Sequence, residues 1–342
     1  MYTEQEASPS EEQQHDIAVA DARYPLQERH KSSFQELLTN MIRFDKREQH
    51  FVASPKTELD ANKLKYPLSI SLQVTRDCNL NCAYCSEVGD IPNPSLVKVR
   101  KMITNLRGVK RIILTGGEPL IRDDLTEIAE YTRKSEFETI SLATNGVFVT
   151  YELARKLVGL IDYVDVTIDG PRKVHNTIRG KYDTVVDGVR ILQNVGFPFS
   201  IVTVLFRGNA DSILLTCQIA DVLGAKKLKI MTPIAKGRGK EIVSEQLSSG
   251  ELLNVFEKIK AEKETNGWSP RITLTDWNVV GEGHAILVHP NGDVVASPVP
   301  SEEECIWPLG NVLRENIKSI WKRYPYKENH LNKYLEKTLH VC

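Results

Sequence analysis

Leu68-Ser69-Ile70-Ser71-Leu72-Gln73-Val74-Thr75 runs through Arg76-Asp77 into Cys78-Asn79-Leu80-Asn81-Cys82-Ala83-Tyr84-Cys85. The first eight residues alternate apolar and polar side chains, the period of a β-strand. The thiols that follow are spaced C-x3-C-x2-C, so they lie on a loop leaving the carboxyl end of a strand. Loops of that kind carry the chemistry of α/β barrels. A cubane [4Fe-4S] cluster takes four ligands, usually thiolates. The next cysteine is Cys217, so this loop supplies three ligands and leaves one iron open to a small molecule. A structural zinc site wants four ligands, often as two C-x2-C pairs, whereas this stretch has one such pair and no nearby histidine. A disulfide would leave an odd thiol.

Downstream, the chain alternates strand and helix patterns. Strands are read at 109–115, 139–144, 163–168, 199–206 and 227–231, and helices at 125–132, 151–157, 184–194 and 212–223. With the thiol-bearing strand first, six strand-helix units are counted. Strict alternation predicts a parallel sheet with helices outside, and six units are too few for the closed eight-fold barrel. Residues from about 245 change character. A charged helix at 251–263 precedes short strands at 271–275, 285–289 and 294–296. Pro290-Asn291-Gly292-Asp293 between the last two is a hairpin signal. A helix follows at 317–323. This segment is read as a small α+β appendix and not as a seventh barrel unit.

Several strands end in polar or glycine-rich motifs. Gly116-Gly117-Glu118-Pro119 closes the second strand; its glycines let backbone approach a ligand closely, and Glu118 offers an acceptor for an ammonium. Thr144-Asn145-Gly146 and Thr167-Ile168-Asp169-Gly170-Pro171 end the third and fourth, where side chains point into a barrel mouth. Helix capping or turn formation by Asn145 and Asp169 is the alternative. His175 and Arg179 are read in a loop, Arg179 either gripping a carboxylate or bracing that loop. Lys236-Gly237-Arg238-Gly239-Lys240 lacks the Walker pattern and is read as a strand-end loop near the substrate, with an anionic substrate group left open. Cys217 falls in a helical stripe and reads as a small buried hydrophobe. Cys217 and Cys305 are the two weak candidates for a catalytic thiol.

C-x3-C-x-aromatic-C, with Tyr84 at the aromatic place, followed one strand later by Gly116-Gly117-Glu118-Pro119, resembles the radical S-adenosylmethionine (SAM) superfamily. The resemblance covers about residues 67–330. It implies a partial (β/α)6 barrel and one [4Fe-4S] cluster on Cys78, Cys82 and Cys85. SAM would bind the open iron and be cleaved reductively to methionine and a 5′-deoxyadenosyl radical. It also implies SAM contacts from Tyr84, Gly116, Gly117, Glu118, Pro119, Thr144, Asn145, Thr167, Asp169 and Arg179, and an electron donor such as flavodoxin or ferredoxin. The stretches 283–297 and 309–312, followed by Ile320-Trp321, resemble a SPASM or twitch domain. The usual hairpin cysteine of that domain falls at Ser297, the upstream one near Val280-Gly281 is absent, and only Cys305 and Cys342 remain. The appendix is therefore expected to keep the fold without an auxiliary cluster.

These patterns divide the chain into a disordered polar tail (1–25), a helical extension (26–65) with a helix over 33–42, the partial barrel (66–244) and the appendix (245–342). The 342 residues are 41% hydrophobic and 26% charged, with net charge −1, the profile of a soluble globular chain. That charge implies no nucleic-acid or anionic-membrane partner. No stretch is apolar enough to span a bilayer, and oxygen-labile thiolate ligation points to the cytoplasm. The expected substrate is a peptide or protein. The alternatives are a small molecule such as a sugar, nucleoside or antibiotic precursor, or a non-catalytic Fe-S scaffold.

Overall fold

The computed structural model describes residues 42–45, 50–53, 65–87, 89–277, 285–296, 307–324 and 339–341. The polar tail, Cys305, Cys342, Ser297 and all but the last residue of the helix expected over 33–42 lie outside them. That last residue, Ile42, opens a hairpin that the sequence reading did not anticipate, β1 (Ile42–Asp45) paired antiparallel with β2 (His50–Ala53).

The other described strands form one sheet. Along the chain they are β3 (Ser69–Thr75), β4 (Arg111–Gly116), β5 (Thr139–Thr144), β6 (Tyr163–Thr167), β7 (Phe199–Val204), β8 (Lys227–Met231), β9 (Arg271–Thr275), β10 (Ala285–Val288), β11 (Asp293–Ala296), β12 (Trp307–Asn311) and β13 (Leu339–Val341). The spatial order is β12-β11-β10-β3-β4-β5-β6-β7-β8-β9-β13, with every neighbouring pair from β10 through β9 parallel. Helices α1 (Leu96–Asn105), α2 (Leu125–Arg133), α3 (Tyr151–Leu157), α4 (Arg172–Ile178), α5 (Tyr182–Asn194), α6 (Arg207–Ala210), α7 (Ile213–Val222), α8 (Ser249–Asn266) and α9 (Ile317–Trp321) fill the connections. This is the α/β partial barrel expected from the alternation.

Two details correct the sequence reading. The segment starting at α8 does add a parallel strand: β9 pairs with β8 in register Lys227↔Arg271 to Met231↔Thr275. Helix α8 makes the crossover, closed at its start by a Ser248–Glu251 capping box and at its end by Gly267 in the left-handed region. Its charged exposed face made it look like part of an appendix. At the other edge β10 pairs parallel with β3, Val288 opposite Leu72. The turn Pro290-Asn291-Gly292 then reverses the chain into β11, antiparallel as expected, with Gly292 at φ +87°.

One face of each strand feeds the apolar core. Ile70, Leu72 and Val74 of β3 are fully buried and belong with Val99, Met102 and Ile103 of α1 to one continuous core. The opposite face, starting with Ser69, Ser71, Gln73 and Thr75, lines the barrel lumen. The alternation that announced a strand thus separates a helix-covered face from a polar interior.

Candidate active site

The cysteine loop is tied down at several points. At its start, Gly117 N–H donates to Thr75 O at 3.0 Å and Glu118 N–H to Asp77 O at 2.7 Å. Cβ atoms at Gly116 and Gly117 would fall 2.4 Å from Thr75 O and 2.2 Å from Asp77 O. Both glycines are therefore required for the β4 end to lie against the chain entering the thiols. In the middle, Ala83 N–H donates to Ile178 O. At its end, Arg238 donates from its backbone to Cys85 O at 2.9 Å and from Nε to Cys82 O at 2.8 Å. Gly237, at φ +52°, has no room for a Cβ, which would meet Cys85 O at 2.7 Å. The 236–240 segment is thus a bracket on the cysteine loop and opens a 3-10 helix, Gly237–Glu245.

Under the loop sits a buried trio. Tyr84 Oη donates to Asp169 Oδ2 at 2.5 Å, and Arg179 Nη1 donates to Tyr84 Oη at 2.5 Å and stands 3.7 Å from Asp169 Oδ2. Asp169 Oδ1 accepts from Val204 N–H at 2.8 Å. Asn209 Nδ2 donates to Asp169 O and to Val204 O. Burial pushes the Tyr84 phenol well above its usual range. Burial works against the charge of Arg179, yet Tyr84 and Asp169 hold it protonated. Bracing, the alternative given for Arg179, matches these bonds, and Asp169, for which capping or turn formation was the alternative, is its buried counter-charge. Contrary to the loop reading, His175 lies within α4 and Arg179 caps its end. His175 is fully buried and accepts the Asp169 N–H at Nδ1, 3.2 Å. Burial followed by the Arg179 charge lowers its pKa to about 4.

Glu118 is likewise enclosed. Its carboxylate accepts from Thr144 Oγ1 at 2.7 Å, Asn145 N–H at 2.6 Å and Leu120 N–H at 2.9 Å, which locks the β4 end to the β5 end. The ammonium acceptor expected from sequence already accepts from three donors of the protein, which aim the carboxylate and leave one of its acceptor sites. Pro119 is buried in the first turn of the 3-10 helix Pro119–Ile121. Asn145 Nδ2 reaches Asn79 Oδ1 at 2.7 Å and lies 3.9 Å from Cys78 Sγ. Thr167 ends β6 on the lumen face, half-buried.

Cys78 is exposed, Cys85 half-buried, Cys82 buried, and all are free thiols. Burial raises the pKa of Cys78 and of Cys82, and each also feels the charge of Cys85. Among the described residues no three of His, Cys, Asp or Glu converge on a point that would hold a single metal ion. A cubane takes each thiolate on a separate iron. Three free thiols on one anchored loop, beside the buried Arg179 cation, fit a [4Fe-4S] cluster. Cys217 is not part of the site. It is 1% exposed in α7, within the outer core, and burial pushes its thiol up to about 12. This corrects its candidacy as a catalytic thiol; Cys305 lies outside the described residues.

The sequence reading missed a second group at the mouth. Gln73 Nε2 donates to Glu87 Oε2 at 2.8 Å, Arg76 Nη1 donates to the same oxygen at 2.6 Å, and His289 Nδ1 lies 2.9 Å from Gln73 Oε1. The signal was present in part, since Gln73 is the polar phase of β3. His289 was not legible, because its place depends on β10 joining β3.

Comparison with known proteins agrees with this geometry. Residues 72–217 match the family model of the radical SAM superfamily. The chain is 30% identical over 212 residues to an AdoMet-dependent heme synthase of Methanosarcina barkeri, covering 58% of this chain and 60% of that protein. It is 27% identical over 283 residues to the mycofactocin maturase MftC of Mycolicibacterium smegmatis, covering 76% and 71%. Streptococcus suis SuiB bound to precursor peptide SuiA has the same fold, with TM-score 0.64 at 12% identity over 77% of this chain and 66% of SuiB. The chain thus spans less than two thirds of the length of the heme synthase. Thiol spacing, barrel topology and these matches agree that residues 72–217 form a radical SAM domain, a superfamily whose cofactors are a [4Fe-4S] cluster and SAM.

Proposed function

We propose that this chain is an enzyme that cleaves SAM reductively and abstracts a hydrogen atom from a substrate held at the barrel mouth. The observation that carries the reading is the cysteine loop, clamped by the Gly116-Gly117 backbone on one side and Arg238 on the other, at the carboxyl ends of the strands. Bound by Cys78, Cys82 and Cys85, the cluster would supply the electron that converts SAM to methionine and a 5′-deoxyadenosyl radical. The protein's part is to bind, orient and exclude water. Tyr84, Asp169, Arg179 and Glu118 are enclosed and hold the loop and strand ends in register. Ligand contact falls to Asn145, Thr167 and the strand-end backbone around Gly116 and Gly117.

A peptide is the first choice of substrate. It is supported by the fold shared with SuiB, which was crystallised with a precursor peptide. A small molecule is the second reading, favoured by 30% identity to a heme synthase. The appendix is assigned the SPASM or twitch role without an auxiliary cluster, and the compartment is assigned as cytoplasmic because free thiolates need reducing surroundings. Anaerobic reconstitution followed by SAM and dithionite tests the reading. Release of 5′-deoxyadenosine is expected, and none from a fully loaded sample would favour the scaffold alternative.

A further inference from the structure

The amino-terminal half of the lumen has no part in the chemistry described so far, and its composition is unusual. Lys227 opens β8 on the lumen face and is only 6% exposed, yet no hydrogen bond or ion pair engages its ammonium among the described residues. Its neighbour two residues on, Lys229, is matched: Nζ lies 2.7 Å from both carboxylate oxygens of Asp165. Asp165 is the one group that favours the charged form of Lys227, against burial and the charges of Lys229, Arg271 and Arg111. Arg111 belongs to β4, four strands from β8, so these groups meet across the lumen.

Two further donors stand idle there. Tyr163 opens β6 and is 2% exposed; its ring lies between Lys229 Nζ at 5.1 Å and the Arg111 guanidinium at 5.7 Å, and its buried hydroxyl has no partner. Ser141, the register neighbour of Tyr163 on β5, is fully buried with an equally unpartnered hydroxyl. Buried polar groups are normally paired, and each that is not calls for an explanation. Three donors without a hydrogen-bond partner among the described residues, one of them the Lys227 amine beside an Asp165 already held by Lys229, describe a receptor for an oxyanion, whose charge would also favour the protonated amine. Above this floor Ile113, Ala143 and Val202 face the lumen half-buried, so the wall toward the mouth carries apolar side chains. Lys227 and Met231 are four residues apart on one strand, a span of about 13 Å.

We propose that the lumen floor built by Lys227, Tyr163 and Ser141 binds a carboxylate or phosphate group, the anionic end of a substrate whose apolar body reaches toward the mouth. This deepens the functional reading above and rests on it only for the word substrate; the site itself stands apart from SAM cleavage.

The test is calorimetric titration of the full-length, cluster-loaded chain with inorganic phosphate and, separately, acetate. Saturable binding of at least one anion is expected, weakened roughly tenfold or more by Lys227→Met and partly restored by Lys227→Arg, with SAM affinity unchanged. The anion bound more tightly identifies the group. Tyr163→Phe, which removes one hydroxyl and keeps the ring, is expected to weaken binding independently. Absence of binding by both anions, as when water alone fills the floor, overturns the proposal, as does equal affinity in wild type, Lys227→Met and Tyr163→Phe. Anion binding without any 5′-deoxyadenosine release would sink the catalytic reading and leave this site standing.

Discussion

Cys82 is the buried member of the thiol trio, and Cys82→Ala is expected to abolish both the iron-sulfur absorption and SAM cleavage. Retained cleavage, measured as 5′-deoxyadenosine, would count against the assigned iron ligands. The Asp169 carboxylate is the counter-charge of Arg179, which is buried. Asp169→Asn leaves that guanidinium uncompensated and is expected to cost about 3 kcal/mol or more in urea unfolding. His175 gives a pH signature. Its folded pKa is lowered to about 4, whereas in the unfolded chain it titrates near the ordinary value of about 6.5. Between those values the unfolded state binds more protons, so stability is full above the upper limit and is lost as pH falls through the window, by up to about 3 kcal/mol. His175→Gln should flatten that part of the stability profile; an unchanged slope would mean His175 does not titrate there.

Two glycines fix how elements meet. Gly117 carries the β4 end past Asp77 O, and Gly237 carries the bracket segment past Cys85 O. In each, the atom that an added Cβ would strike is backbone, which cannot swing aside. Gly117→Ala and Gly237→Ala are each expected to cost about 2 kcal/mol and to lower iron loading, while far-UV circular dichroism stays that of the parent. Full loading in both variants would show that the cysteine loop is not held as described. The role of Gly116-Gly117 as a close-approach motif was legible from sequence, because only glycine permits such contact. The identity of the approached segment was not, since it lies forty residues away along the chain.

At the scale of the molecule, the strands from β3 to β9 are flanked by β10 against β3 and by β13 against β9. Removing residues 278–342 would expose both strands as edges, and unpaired edges template association. The truncated chain is expected to aggregate at concentrations where the full chain stays monodisperse by light scattering. Reconstitution of the full chain should give about four irons, the content of a single cubane; about eight would mean that the carboxyl-terminal segment holds a second cluster.

Local order settled much of this protein. Three thiols spaced for a cubane, a strand before them and a Gly-Gly-Glu-Pro turn one strand later announce the radical SAM domain and the parallel α/β architecture, because ligand spacing and side-chain period are properties of neighbouring residues. Packing decided the rest. Glu118, Asp169 and Arg179 look like ligand contacts in a linear motif; that they also brace the site is visible only because Thr144, Asn145, Tyr84 and Val204 close around them. The unpaired amine of Lys227 is invisible along the chain, where β8 reads as an ordinary amphipathic strand. It exists because the curved sheet brings β4 and β8 to face each other, and which charges meet across a lumen depends on curvature that no local pattern encodes.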